Sequence, residues 1–66
     1  MQILVNGVAR EVPEQMTVRA LLAELGWAER RVAVECNGEI VPRSTYATAT
    51  LAADDRLEII QAVGGG

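Results

Sequence analysis

Short apolar stretches, several of them alternating with polar residues at a period of two, predict a set of strands along the chain. The first two stretches, at about 2–5 and 8–12, flank Asn6 and Gly7, and Pro13 ends the second. Asn-Gly favours a type I′ turn because both residues tolerate positive φ. The first segment is therefore predicted to be a β-hairpin.

A helical stripe follows the hairpin. Its apolar positions have the i, i+3, i+4, i+7 spacing of an amphipathic helix and are Val18, Leu21, Leu22 and Leu25. Thr17 is placed to cap the first turn. Gly26 is placed to end the helix in the left-handed conformation.

Apolar alternation returns after the helix. Val32, Val34 and Cys36 predict a third strand, and residues 39–41 predict a short fourth strand beyond a second Asn-Gly turn. Residues 43–55 predict a loop with one short helical turn. The stretch 56–63 predicts a last strand with Leu57 and Ile59 on one face.

This order of elements predicts an α+β, ubiquitin-like β-grasp fold. One main helix packs on one face of a mixed four- to five-stranded sheet. The helix connects the hairpin to a later strand, and this crossover connection allows the first and last strands to lie parallel in the centre of the sheet. We expect residues 1–63 to form the domain and residues 64–66 to form a flexible glycine tail. The strand alternation turns Leu4 and Ile60 to the outer face, where we expect them to form a partner surface.

Composition narrows the range of functions. The 66 residues carry a net charge of −3 and include no lysine, which argues against an electrostatic nucleic-acid binder. No apolar run approaches the roughly 20 residues of a membrane span. The N-terminal residues lack the pattern of a signal peptide, and Cys36 has no second cysteine for a disulfide. We therefore expect a cytoplasmic protein.

The residue types for catalysis are scarce. The chain has no histidine, and Ser44 is its only serine, so the usual activated nucleophile is missing. Cys36 lies within an apolar alternation and is interpreted as a core residue. Asp54 and Asp55 are adjacent in a predicted turn and are interpreted as turn residues rather than metal ligands. We expect neither enzymatic activity nor a bound metal.

The glycine run Gly64, Gly65, Gly66 is the remaining feature. A frayed end or a truncated or designed domain would account for it without any chemistry. However, a backbone without side chains threads a narrow tunnel and allows close approach. A terminal carboxylate also becomes a good acyl donor once an enzyme converts it to an acyl-adenylate.

The sequence resembles the ThiS-type sulfur carriers of thiamine thiazole biosynthesis, which are ubiquitin-like β-grasp proteins. The resemblance runs from "VNG…EVP" through "TVRALLAELG" and "VAVECNGEIVPRS" to "DRLEII…VGGG". In the last turn the family usually has glycine where this chain has Asp54, a residue type that tolerates the left-handed conformation.

The resemblance implies a role for the tail. A ThiF-type adenylyltransferase, similar to ubiquitin-activating enzymes, would use ATP to adenylate the carboxylate of Gly66. Sulfur, coming indirectly from a cysteine desulfurase, would convert it to a thiocarboxylate for a ThiG-type thiazole synthase. Gly64 and Gly65 would thread the partner's tunnel, and no cofactor would be bound by the carrier itself.

Two other functions fit a β-grasp domain with a Gly-Gly end. A molybdopterin-type sulfur carrier is typically longer and richer in Phe, and this chain has no Phe. A ubiquitin-like protein modifier would join Gly66 to a lysine of another protein. The absence of lysine here excludes side-chain-linked polymers of the chain.

Overall fold

A five-stranded sheet with one helix on one face makes up the fold in the computed structural model, which describes residues 1–61. In chain order the elements are β1 (Gln2–Val5), β2 (Val8–Glu11), α1 (Val18–Glu24), β3 (Val32–Cys36), β4 (Glu39–Ile40), a 3₁₀ turn (Arg43–Thr45) and β5 (Arg56–Gln61). The predicted tail 64–66, together with residues 62 and 63, lies outside the described residues.

The strand order is β2-β1-β5-β3-β4. β1 is antiparallel to β2 and parallel to β5, and β3 is antiparallel to both β5 and β4. The first and last strands therefore lie parallel in the centre of the sheet, which confirms the predicted β-grasp topology. β2 ends at Glu11, one residue earlier than predicted, although Val12 still exchanges two backbone hydrogen bonds with Met1 and has its side chain in the core.

Two tight turns have the backbone that Asn-Gly predicts. Asn6 and Gly7 have φ of 51° and 81°, and Asn37 and Gly38 have φ of 54° and 85°. Two consecutive positive φ values are the requirement of the type I′ turn. Asp54 has φ of 67° and so adopts the left-handed conformation expected of it.

Helix α1 begins and ends as predicted. The Oγ1 atom of Thr17 accepts a hydrogen bond from the amide of Ala20 at 3.1 Å, and Gly26 follows the helix with φ of 81°. The loop after the 3₁₀ turn also covers the start of the helix, because the amides of Val18 and Arg19 donate to loop carbonyls. The free N–H groups of the first helical turn are therefore already paired.

The hydrophobic core fills the space between α1 and the inner face of the sheet. The strand residues that face the helix are buried, and they include Ile3, Val5, Val34, Leu57 and Ile59. The sequence did not predict two further core residues, Val12 and Leu51, which lie in connecting segments. The Leu51 amide donates to the Met16 carbonyl at 2.8 Å, and this bond holds the loop against the chain just before α1.

Candidate functional site

In sequence, the central strand β5 is followed by residues 62 and 63 and then by the glycine run. On one side, β3 pairs with β5 along its full length, from Cys36 opposite Leu57 to Val32 opposite Gln61. On the other side, backbone pairing with β1 ends where Val5 meets Leu57. The last residues of β5 therefore extend beyond β1, and their polar backbone groups on that side need other partners.

The side chain of Asn6 supplies these partners for Ile59. Its Oδ1 accepts a hydrogen bond from the Ile59 amide at 2.7 Å, and its Nδ2 donates to the Ile59 carbonyl at 3.2 Å. These two bonds continue the ladder after the β1 backbone has turned away. The sequence predicted the turn at Asn6 but not its bonds to β5.

Asn37 in the second hairpin makes a similar attachment at the start of β5. Its Oδ1 accepts from the Arg56 amide at 3.0 Å, and its backbone amide donates to the Arg56 carbonyl at 2.8 Å. Its Nδ2 donates to the carboxylate of Asp55, which also accepts from the Ala52 amide. Asp55 therefore stabilises the turn before β5, as interpreted from sequence. Both Asn-Gly turns hold the strand that carries the tail.

Leu4 and Ile60 lie on the outer face of the sheet. Ile60 is exposed, with 53% of its surface accessible. Leu4 is less exposed than Ile60, and its neighbour on β5 is Arg56. Ile60 lies four positions after Arg56, a distance of about 13 Å along the strand. The two predicted surface residues therefore share a face but are not adjacent, and Ile60 is the one near the end of β5.

Other residues of the outer face were not singled out from sequence. Ile40 on β4 is 64% exposed and pairs with Glu35. Glu35 in turn lies directly opposite Glu58 on β5. Two like charges in one cross-strand pair repel each other, so we expect this pair to be destabilising.

Cys36 packs against the edge of the core, as its place in the alternation predicted. Burial raises the pKa of its thiol, and the charge of Asp55, a hydrogen bond with Asp55 and the charge of Glu39 raise it further. The thiolate is the nucleophilic form of cysteine, so these surroundings disfavour reactivity near neutral pH.

The proposed reacting residue Gly66 and its neighbours Gly64 and Gly65 lie outside the described residues. No helix within residues 1–61 is long and apolar enough to cross a membrane. The same part of the chain holds no group of three or more His, Cys, Asp or Glu side chains placed to bind a metal ion.

The topology and the central position of β5 define a ubiquitin-like β-grasp protein. Comparison with known families goes further, because residues 3–66 match the ThiS family. The sulfur carrier protein ThiS of Escherichia coli is 33% identical over 66 residues, and the match covers the whole of both chains. This chain belongs to the ThiS family.

A solved structure and a second class of relatives extend the comparison. The crystal structure of the thiamine biosynthesis protein (ThiS) from Geobacter metallireducens matches with a TM-score of 0.83 and 36% identity, and both chains are fully covered. A thiazole synthase from Paramagnetospirillum magneticum is 50% identical over 66 residues. The match takes in all of this chain but only 20% of that synthase. The chain thus spans about a fifth of the length of such relatives.

Proposed function

We propose that this chain is a sulfur carrier for the thiazole step of thiamine biosynthesis and that the carboxylate of Gly66 carries the sulfur. The observation that carries the proposal is the match to the ThiS family, which runs through the glycine run to residue 66. The match to the sulfur carrier protein ThiS of Escherichia coli also includes residue 66 and supports a carrier role.

The proposed chemistry has two steps. An oxygen of the Gly66 carboxylate attacks the α-phosphorus of ATP in the activating enzyme, and pyrophosphate leaves. A hydrosulfide ion then attacks the carbonyl carbon of the acyl-adenylate, and AMP leaves with the carboxylate oxygen. Where the sulfur arrives as a persulfide instead, attack gives an acyl disulfide, and a second thiol cleaves it to the thiocarboxylate and ends in a disulfide with the sulfur donor. One oxygen of the terminal carboxylate is thereby replaced by one sulfur. The carrier contributes position rather than catalytic groups, because both reactions take place in a partner.

Glycine suits both steps because each brings another protein's groups against the tail. A Cβ at either of the last two positions would crowd a narrow tunnel and the tetrahedral intermediate. The ladder that holds Ile59 between β3 and Asn6 fixes the strand from which the tail extends. A strand held in place in this way limits the directions from which the reacting carboxylate approaches a partner.

The names of two relatives support thiazole synthase as a partner. Two curated relatives named thiazole synthase, from Paramagnetospirillum magneticum and Magnetococcus marinus, contain a segment that matches this entire chain. A carrier segment within a synthase places donor and acceptor in one polypeptide, which raises their effective concentration. We also propose a ThiF-type adenylyltransferase and a cysteine desulfurase as partners, on the basis of the family resemblance.

Ile60 is the best candidate for the centre of the partner surface. It is exposed, apolar and one residue before the last described residue of β5. An exposed isoleucine on a central strand gains by burial against a partner. Leu4 contributes less to this surface because it is partly buried and about 13 Å away along the strand.

Transfer of sulfur to a defined acceptor tests this function. The chain is treated with the activating enzyme, ATP and a sulfur source, purified, and given to thiazole synthase with its other substrates. We expect thiazole phosphate to form, and none to form when ATP is left out of the first stage. Formation of molybdopterin by molybdopterin synthase in place of thiazole would contradict the assignment, as would lysine-linked conjugates in extract.

A further inference from the structure

A cleft of about 610 Å³ opens beside the start of α1, away from the outer face of the sheet. Its walls come from the first turn of α1, the loop before β3 and the 3₁₀ turn with the residues that follow it. Four arginines line it, and they are Arg19, Arg30, Arg31 and Arg43. The whole chain has six arginines and no lysine, so most of its positive charge is concentrated here.

These arginines have no carboxylate partner in the described part of the chain. The ion pairs within residues 1–61 are both made by the amino group of Met1, with Glu11 and Glu14. Glu29 is the one acidic side chain that lines the cleft. All four arginine residues are exposed, so their guanidinium groups are accessible to a ligand. In a chain of net charge −3, such a cluster selects for an anionic partner.

The lining of the cleft is also apolar in part. Leu22 is buried beneath it, and Tyr46 is half-buried and donates a hydrogen bond from its hydroxyl to the Val32 carbonyl at 3.3 Å. Arginine binds carboxylates through paired N–H groups, and an apolar floor accepts an aliphatic side chain. A peptide that carries both carboxylates and an apolar residue fits this combination.

A phosphate ligand fits the cleft less well. Arginines also bind phosphates, but many phosphate sites add free backbone N–H groups at a helix start or in a glycine-rich loop. At the start of α1 these groups are already used, because the amide of Val18 donates to Ala49 and that of Arg19 donates to Tyr46. Among residues 1–61, no glycine lines the cleft.

The position of the cleft relates it to the tail. Arg31 directly precedes Val32, and Val32 pairs with Gln61 at the end of β5. The cleft therefore lies at the end of the sheet from which the chain continues toward Gly66. Five residues span at most about 17 Å when extended. A protein bound in the cleft thus has its own surface near the origin of the tail.

We propose that this cleft is a docking site for an acidic segment of a protein partner, in which Asp or Glu side chains pair with the arginines and an apolar side chain contacts Leu22 and Tyr46. That the partner is the enzyme acting on Gly66 rests on the proposed function. The docking itself rests on the described residues alone.

A peptide titration tests the docking site without any sulfur chemistry. The full chain, labelled with ¹⁵N, is titrated with a nine-residue peptide of Asp, Glu and Leu, and separately with the same peptide carrying Asn and Gln. We expect saturable shift changes at amides around the cleft with the acidic peptide only. Binding should weaken as salt rises from 0.05 to about 0.5 M because exposed charge pairs are screened.

Two double variants provide a matched comparison. Arg30→Gln with Arg43→Gln removes two charges from the cleft, whereas Arg10→Gln with Arg56→Gln removes two charges elsewhere. We expect the first pair to weaken peptide binding by roughly tenfold and the second by less than about twofold. Equal losses in the two variants, or no saturable shift with the wild-type chain, would overturn the proposal.

Inorganic pyrophosphate is the competing probe. If it produces the same shifts and displaces the peptide at lower concentration, the cleft is a phosphate site and the proposal is wrong. Sulfur gain by the same variants, followed by intact mass, reports separately on the proposed function. A wild-type chain that binds the peptide but gains no sulfur would keep the docking site and contradict only the carrier role.

Discussion

Asn6 and Ile59 are 53 positions apart in sequence and are joined by two hydrogen bonds. The amide group of Asn6 accepts from the backbone N–H of Ile59 and donates to its carbonyl. A turn residue at one end of the chain thus completes the ladder of the strand that leads to the tail. The same side chain also tolerates the positive φ of the turn, so one residue serves two structural purposes.

Replacing Asn6 by Gly tests the importance of these bonds. Glycine keeps the positive φ without strain, so the variant chiefly removes the two hydrogen bonds and leaves the Ile59 backbone groups unpaired. We expect the free energy of unfolding, measured with urea, to fall by about 1–3 kcal/mol. Hydrogen exchange of the Ile59 amide should become faster.

Asn6→Asp is the control for this variant. Aspartate keeps the oxygen that accepts from the Ile59 amide but loses the N–H donor to the carbonyl. In Asn6→Asp, the Ile59 amide should stay more protected from hydrogen exchange than it is in Asn6→Gly. An Ile59 amide that exchanges equally slowly in wild type and Asn6→Gly would show that the bonds do not hold the strand.

Replacing Ile60 by Asp tests the partner surface. The side chain is already 53% exposed, so the fold should tolerate the change while the apolar contact with a partner is lost. We expect affinity for the activating enzyme or thiazole synthase, measured by calorimetry, to fall by about tenfold or more. Val8→Asp is a matched control, because Val8 is 62% exposed and lies on the edge strand β2. Equal affinities of Ile60→Asp and wild type for both enzymes would exclude this surface.

The thiol of Cys36 should titrate at higher pH than that of a free cysteine. Burial and the carboxylate of Asp55 disfavour the thiolate and raise the pKa of Cys36. The rate of alkylation by iodoacetamide should therefore keep rising with pH after that of a cysteine peptide has levelled off. Asp55→Asn removes a nearby negative charge and should move the midpoint to lower pH. A profile that coincides with that of the peptide would contradict the effect of these surroundings.

The cross-strand pair of Glu35 and Glu58 should cost stability. Because the two residues lie directly opposite each other, Glu58→Gln is expected to raise the free energy of unfolding by roughly 0.2–1 kcal/mol at low salt. Glu29→Gln removes the same charge from an exposed loop residue that lies among arginines and should not raise the free energy of unfolding. An equal increase in the free energy of unfolding in both variants would indicate an effect of net charge and not of repulsion between Glu35 and Glu58.

Local patterns in the sequence were sufficient to predict the strands, the helix and their topology. The Asn-Gly pairs, the stripe from Val18 to Leu25 and the alternation around Val34 each depend on neighbours in sequence, and each was confirmed. The contacts of Asn6 with Ile59 were not predicted because they depend on the register between β1 and β5. The separation of Leu4 from Ile60 has the same cause.

The arginine cleft is a further feature that sequence analysis did not find. Arg19 lies on the helix, Arg31 precedes β3 and Arg43 begins the 3₁₀ turn, so no local motif connects them. They come together only because the loop after the 3₁₀ turn folds over the start of α1 through backbone hydrogen bonds such as that of Arg19 with Tyr46. A charge cluster of this kind becomes visible once the tertiary fold is known.

Gly66 is the residue that we propose takes up sulfur. Deleting it leaves a glycine carboxylate at residue 65 but shortens the reach by roughly 3.5 Å. The intrinsic chemistry is therefore preserved and only the position of the carboxylate changes. A displacement of about 1 Å already costs on the order of 100-fold in rate in well-positioned reactions. Gly65→Val should have a similar effect, because its branched side chain would crowd the narrow tunnel that we propose in the activating enzyme.

The most direct measurement is the intact mass of the full chain and of the deletion variant after reaction with the activating enzyme, ATP and a sulfur source. We predict that the full chain gains the mass of one oxygen replaced by one sulfur. The deletion variant should fold normally, as judged by circular dichroism, and gain little or no sulfur in the same time. Equal rates of sulfur gain by the two chains would contradict the assignment of the reacting group to Gly66.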